Sequence, residues 1–256
     1  MDGSSDSSIA LHAPSSVDDQ LSHEAQACLD EVRRVIGDLG SVVVGLSGGV
    51  DSTLLAKLCL DTLGRERSLA VIARSPSLPA RELRSAIEVA NAVGIAWEVI
   101  DTRELEDDRY AANPTNRCYF CRDELFGQLT AVAERKGFAA IAYGEIADDL
   151  GDHRPGRTAA LEHAVRAPLR VAGATKQIVR ELARHFDLAV WDKPAMACLA
   201  SRIPYGDAVT AEKLEQIDRA ERVLDDLGFR NYRVRHLGDV ARIEVDPADF
   251  RRMVEE

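Results

Sequence analysis

Apolar residues recur along this chain at two spacings. Leu21, Ala25, Cys28, Leu29, Val32 and Ile36 share one helical face, which predicts an amphipathic helix over about residues 21–38. SVVVGL (Ser41–Leu46) is a short β-branched run of the kind that makes a buried parallel strand. A Gly-rich turn and a helix over about 52–63 follow. SLAVIAR reads as a second strand, and PARELRSAIEVANAVG as a helix opening at Pro79 and closing at Gly94. IAWEVIDT is a third strand. CRDELFGQLTAVAERKG is a helix leading to a fourth strand, FAAIAYG. Strand and helix in regular alternation predict an α/β fold whose parallel sheet is covered on both faces.

Beyond this the pattern loosens. A charged, Gly-containing region spans about 145–174, followed by a helix (175–185), a short strand (188–191) and the loop DKPAMACLASRIPYG. From Asp207 the order changes to one helix, TAEKLEQIDRAERVLDDLG, and two strands, NYRVRHLG and VARIEV, a small α+β appendage. The expected division is a disordered tail (1–20), a main α/β domain (21–206) and a substrate or oligomerisation domain (207–256).

Composition narrows the function classes. Hydrophobic content of 46% suffices for a buried core, and no apolar run approaches the ~20 residues of a membrane span. A net charge of −11 weighs against a nucleic-acid partner, which a basic surface would serve. A small anionic substrate needs only a few arginines. The acidic, Ser-rich start lacks a charged-then-apolar leader, so the cytoplasm is the expected compartment. Five cysteines in a reduced compartment argue against a disulfide framework. Cys28 and Cys59 lie in apolar helical patterns and read as core. Cys118, Cys121 and Cys198 stay unexplained.

GLSGGVDS (Gly45–Ser52) joins the first strand to a helix. Adjacent glycines let the backbone approach a ligand closely. Ser47, Ser52 and Thr53 add hydroxyls, and the helix start adds free N–H groups, which together make an oxyanion cradle. It lacks the Gly-Lys-Ser/Thr of a Walker loop. The stretch resembles the pyrophosphate loop of the PP-loop ATP pyrophosphatases. That resemblance implies attack at the α-phosphorus of ATP, with Ser47, Gly48, Gly49, Asp51 and Ser52 holding the pyrophosphate and Asp51 helping to hold Mg²⁺. YGEIADD offers Glu145, Asp148 and Asp149 for Mg²⁺ or ribose, with Glu145 and Asp149 favoured for the metal. The segment Ala167–Ala183 resembles a later superfamily segment that brings Lys176 near the pyrophosphate, and Ala73 is expected in the adenine pocket.

Cys118-x-x-Cys121 alone suits a zinc site, with Cys198 and one of His153, His163 or His236, or a redox dithiol, or two-thirds of an iron–sulfur socket. Together, NPTNRCYFCRDELF, PAMACLASRIPYG, GLSGGVDS and RVRHLGDVARIE resemble the LarE family of ATP-dependent sulfur transferases, which build the nickel-pincer nucleotide cofactor. The resemblance runs from about residue 22 to the end. It implies a pyridinium-3,5-biscarboxylic acid mononucleotide substrate whose carboxylates are adenylated and turned into thiocarboxylates. Of the family's two types, three cysteines match the one holding a 4Fe–4S cluster on Cys118, Cys121 and Cys198; the other sacrifices the sulfur of the residue matching Cys198. The resemblance also implies that Arg233 and Arg235 hold the substrate phosphate and that the chain forms a homo-oligomer, a hexamer built from trimers; Arg202, four residues after Cys198, is a further candidate for the substrate phosphate near the acyl-adenylate, with Ser201 beside it. The competing readings are a tRNA thiolation enzyme, an amidating synthetase, and a non-catalytic nucleotide-binding protein with a structural metal.

Overall fold

Three consecutive valines, Val42, Val43 and Val44, are completely buried in strand β1 (Val42–Gly45). That is possible only where both faces of a strand are covered. Val42 and Val44 face a layer built by α1 (His23–Gly37), α2 (Val50–Leu63) and the helix over 176–185, whereas Val43 faces the opposite layer. In β2 (Ser68–Arg74), Ala70 and Ile72 join the first layer, and Leu69 and Val71 the second. The computed structural model describes residues 21–151 and 155–255; the expected tail and His153 lie outside them.

The remaining elements follow in order: α3 (Ala80–Val93), β3 (Ala96–Asp101), α4 (Asp108–Ala111), α5 (Arg117–Lys136), β4 (Ala140–Ala142), α6 (Gly156–Glu162), α7 (Pro168–Val171), α8 (Lys176–His185), α9 (Ala211–Asp226), β5 (Tyr232–Leu237), β6 (Val240–Val245) and α10 (Phe250–Glu255). The main sheet runs β3-β2-β1-β4, all parallel. β5 and β6 make a separate antiparallel pair, Tyr232 opposite Val245. Leu224 of α9 packs with Tyr232 and Val234 of β5. Nearer its start, Leu214 and Ile217 pack with Leu199, Ala200 and Ile203, just past Cys198. One helix therefore binds the small sheet to the third cysteine's loop.

Two expectations need correction. The strand expected at 188–191 is a pair of turns, closed by Trp191 N donating to Leu188 O (3.0 Å) and Lys193 N donating to Val190 O (3.1 Å). Leu188 and Val190 are buried as expected, but the free edge of β4 is taken by Arg166, bridged to Ala142. The helix placed after the cysteine pair begins before it, at Arg117, so Cys118 and Cys121 occupy its first turns. A spacing of three residues then sets both thiols on one helical face.

Candidate active site

The turn after β1 enters α2 through Gly48, at φ 74°, and Gly49, the N-cap. A Cβ on Gly48 would lie 3.0 Å from Ala86 Cα, so the turn is pressed against α3. Ser52 Oγ closes the turn from inside: it accepts from Ser47 N (3.1 Å) and lies 3.0 Å from Ser47 Oγ. No side chain caps α2, which leaves its first N–H groups for an anion. Gly144, just after β4, passes so close that a Cβ would sit 2.7 Å from Ser52 N.

Charge around the turn is paired. Lys176, capped into α8 by Thr175, donates to both oxygens of Asp51 at 2.8 Å, while its backbone N–H donates to Asp148 Oδ2 (2.8 Å). Asp149 Oδ2 accepts from Ile146 N (3.1 Å). Glu145 is buried, with Arg170 Nε 2.9 Å from Oε2, close enough for an ion pair but not aligned as a hydrogen bond. Burial, and then the neighbouring Glu145, hold the Tyr143 phenol protonated well above its usual range.

A cleft of about 960 Å³ opens at the carboxyl edge of the sheet, the usual ligand position in such folds. Ser47, Asp51, Ser52, Ala73, Glu145 and Lys176 line it, and so do Cys118, Cys121 and Cys198. Cys118 and Cys198 are exposed and Cys121 is half-buried. Burial pushes the Cys121 thiol up to about 12, reinforced by the charge of Glu104 and by Cys198 and Cys118, with Arg122 acting the other way. Glu104 is itself buried; one oxygen accepts from Ser75 Oγ and the other has no partner among the described residues. The three thiols line the same cleft, but among the described residues no three His, Cys, Asp or Glu side chains are arranged as a metal-binding group.

Two polar networks bring the cysteine segments together. Buried Asn113, at φ 55°, donates from Nδ2 to Pro204 O (2.7 Å) and Asp207 O (2.8 Å), and its Oδ1 accepts from Arg117, which also donates to Ala200 O (3.0 Å). Arg202, 1% exposed, donates to Glu221 Oε1 (2.8 Å), Ala197 O (2.7 Å), Cys198 O (3.2 Å) and Ser201 Oγ (3.0 Å). Its guanidinium thus holds the Cys198 loop. Arg235 donates to Glu244 Oε2 (3.0 Å) and Ser201 O (2.9 Å). Exposed Arg233 lines a second cleft of about 280 Å³ with Arg230, Arg202, Met196 and Ala197. His163 pairs with Asp123, and His236 lies 3.2 Å from Gln216.

Sequence reasoning passed over Arg122 and Arg157, which line the main cleft without a carboxylate partner among the described residues. Arg122 lies over the rings of Phe126 and Tyr143. The only clue was its place beside Cys121. Lys193 and Glu221 were also passed over, because their partners are distant in sequence.

A glycine-rich turn at the carboxyl edge of a parallel sheet, with hydroxyls where a Walker loop has lysine, defines an ATP-using enzyme of the PP-loop class. The NAD synthase family model matches residues 24–114, which include this turn. An ammonia-dependent NAD⁺ synthetase of Pyrobaculum aerophilum is 44% identical over 66 residues, 26% of this chain and 25% of its own length. Likeness over nearly the whole chain lies elsewhere. An uncharacterized protein of Synechocystis is 42% identical over 228 residues, 89% of this chain and 85% of its own. The pyridinium-3,5-bisthiocarboxylic acid mononucleotide synthase of Lactiplantibacillus plantarum is 37% identical over 211 residues, 82% of this chain and 76% of its own. The chain belongs to the family of that synthase, the LarE family.

Proposed function

We propose that this enzyme converts the carboxylates of pyridinium-3,5-biscarboxylic acid mononucleotide to thiocarboxylates at the expense of ATP. A substrate carboxylate oxygen attacks the α-phosphorus and pyrophosphate leaves. Sulfide sulfur then attacks the acyl carbon, and AMP departs with the former carboxylate oxygen. The observation that best supports this reading is the sharing of one cleft by Cys118, Cys121 and Cys198 with Ser47, Asp51 and Ser52.

Positioning and charge neutralisation carry the adenylation step. The turn amides and Ser47 and Ser52 hold pyrophosphate, and Ala73 borders the adenine. A phosphate would draw the Lys176 ammonium off Asp51 and leave that carboxylate, with Glu145 and Asp149, to Mg²⁺. Cys118, Cys121 and Cys198, which line one cleft, would hold a 4Fe–4S cluster, and such a cluster would supply sulfide sulfur in deprotonated, nucleophilic form. Cys198, on the exposed loop, would be the thiol nearest the acyl carbon. Arg233 and Arg235 belong to the substrate phosphate, Arg233 from its own cleft and Arg235 once released from Glu244. Arg202, which lines the same cleft as Arg233 and holds the loop between, belongs with them.

Residues 207–256 form the substrate and oligomerisation unit, whose exposed Val240, Ile243, Phe250 and Val254 suit contact with a second copy in a homo-oligomer. The substrate is a small molecule rather than a nucleic acid, and the enzyme works in a reducing cytoplasm. The test is anaerobic purification with iron and sulfide analysis of wild type and Cys198→Ala, alongside thiocarboxylate formation from the pyridinium mononucleotide. About four irons per wild-type chain and far fewer in the variant are expected. Stoichiometric zinc would reject the cluster. Conversion of Cys198 to dehydroalanine would show that its own sulfur is transferred, and thiolation of bulk tRNA in place of the mononucleotide would reject the substrate.

A further inference from the structure

The thiol of Cys198 rides on an exposed strap, Pro194–Cys198, held at both ends. At the far end Leu199 N donates to Ser77 O (2.9 Å), and Arg202 holds the carbonyls of Ala197 and Cys198. At the near end Lys193, 19% exposed, donates to Glu82 Oε2 (2.8 Å) and Ser85 Oγ (3.1 Å) of α3 and to Gly48 O (3.1 Å) in the phosphate turn. Five residues of extended chain reach at most ~18 Å. Lys193 at one end and Leu199 at the other thus set the path of the strap that carries Cys198 past the turn.

The bond to Gly48 has a second property. The Gly48–Gly49 peptide is one rigid plane. Its carbonyl edge accepts from Lys193, while its N–H edge makes only a long 3.4 Å contact with Ser47 Oγ. An anion on the N–H polarises the same peptide and strengthens the bond on its carbonyl, because hydrogen bonds in series reinforce one another. Lys193 is not among the residues lining the main cleft, so it acts from behind the turn. Glu82 and Ser85 fix its ammonium there, with Arg81 Nε 3.8 Å from the other Glu82 oxygen.

We propose that Lys193 is a positioning residue coupling nucleotide occupancy of the phosphate turn to the placement of the Cys198 thiol. The proposal rests on the function given above only in requiring ATP at the turn. The full-length chain, reduced and metal-free, is treated with iodoacetamide with and without ATP and Mg²⁺, and the Cys198 peptide is quantified by mass spectrometry. ATP affinity is measured by calorimetry. In wild type, ATP changes the Cys198 alkylation rate by about fivefold or more, the lower range of coupling between sites. In Lys193→Met, and in Lys193→Met with Glu82→Gln, which leaves no half-buried carboxylate unpaired, ATP still binds but the rate no longer responds. A purely structural role would lower the melting temperature and leave that response intact. ATP binding without any change in wild type, or a response that persists in the folded variants, overturns the coupling and leaves the proposed function standing. Failure of wild type to bind ATP overturns both.

Discussion

Glu221 is completely buried. Its carboxylate accepts from Arg202 of the Cys198 loop and from Val234 N of β5 (3.1 Å), with Arg81 of α3 at 3.6 Å. One side chain on α9 thereby joins three segments distant in sequence. Removing one partner of a buried pair strands the other, at a cost of about 3–5 kcal/mol, whereas apolar replacement of both is far milder. Glu221→Ala and Arg202→Ala are each expected to lose that much in urea unfolding, while the double variant Arg202→Met, Glu221→Leu retains more stability than either. The pair also shows what residue-level reading can miss. Arg202 stands four residues after Cys198 and resembles an anion ligand. The approach of a carboxylate nineteen positions away adds a loop clamp to that expected role. Asp51 and Lys176, by contrast, can be assigned to one site from their motifs, although their bidentate contact cannot.

Among the elements, the start of α5 is held by a buried polar anchor. Its cysteines lie in the opening turns, and Asn113, four residues before Arg117, ties that start to the chain after Cys198 through three carbonyls. The φ of 55° suits Asn, which tolerates the left-handed region better than most residues. Asn113→Ala is expected to cost about 1–3 kcal/mol, the penalty for stranding buried acceptors, measured by chemical denaturation. If the proposed cluster is held there, iron incorporation should fall with it, because α5 and the Cys198 loop lose their mutual register. The motif NPTNRC can be seen in the sequence, but the part played by its first residue cannot. The misplaced strand at 188–191 has a related cause. Leu188 and Val190 are buried, but among the described residues the segment pairs with no strand, and it is Arg166 that bridges the β4 edge.

For the whole molecule, burial fixes a pH limit. Desolvation raises the Cys59 thiol above its ordinary 9.0 and the Tyr110 and Tyr232 phenols above 10.0. The folded state holds these protons more tightly than the unfolded chain. Their contribution is therefore intact below pH 9 and lost progressively as the pH climbs past it. The urea midpoint is expected to decline above about pH 9, and Cys59→Ala should flatten that decline. The core behind this behaviour is written locally in the chain. Short β-branched runs and helical runs, the Gly-Gly turn and the Pro and Gly boundaries act over a few residues, so the positions of strands and helices, helix faces and the phosphate cradle follow from nearby chemistry. The convergence of Gly48, Cys118, Lys193, Cys198 and Glu221 does not. Those residues meet only because the sheet, α5 and α9 pack as they do, and contacts made by folding across such separations leave no periodic trace in the order of the amino acids.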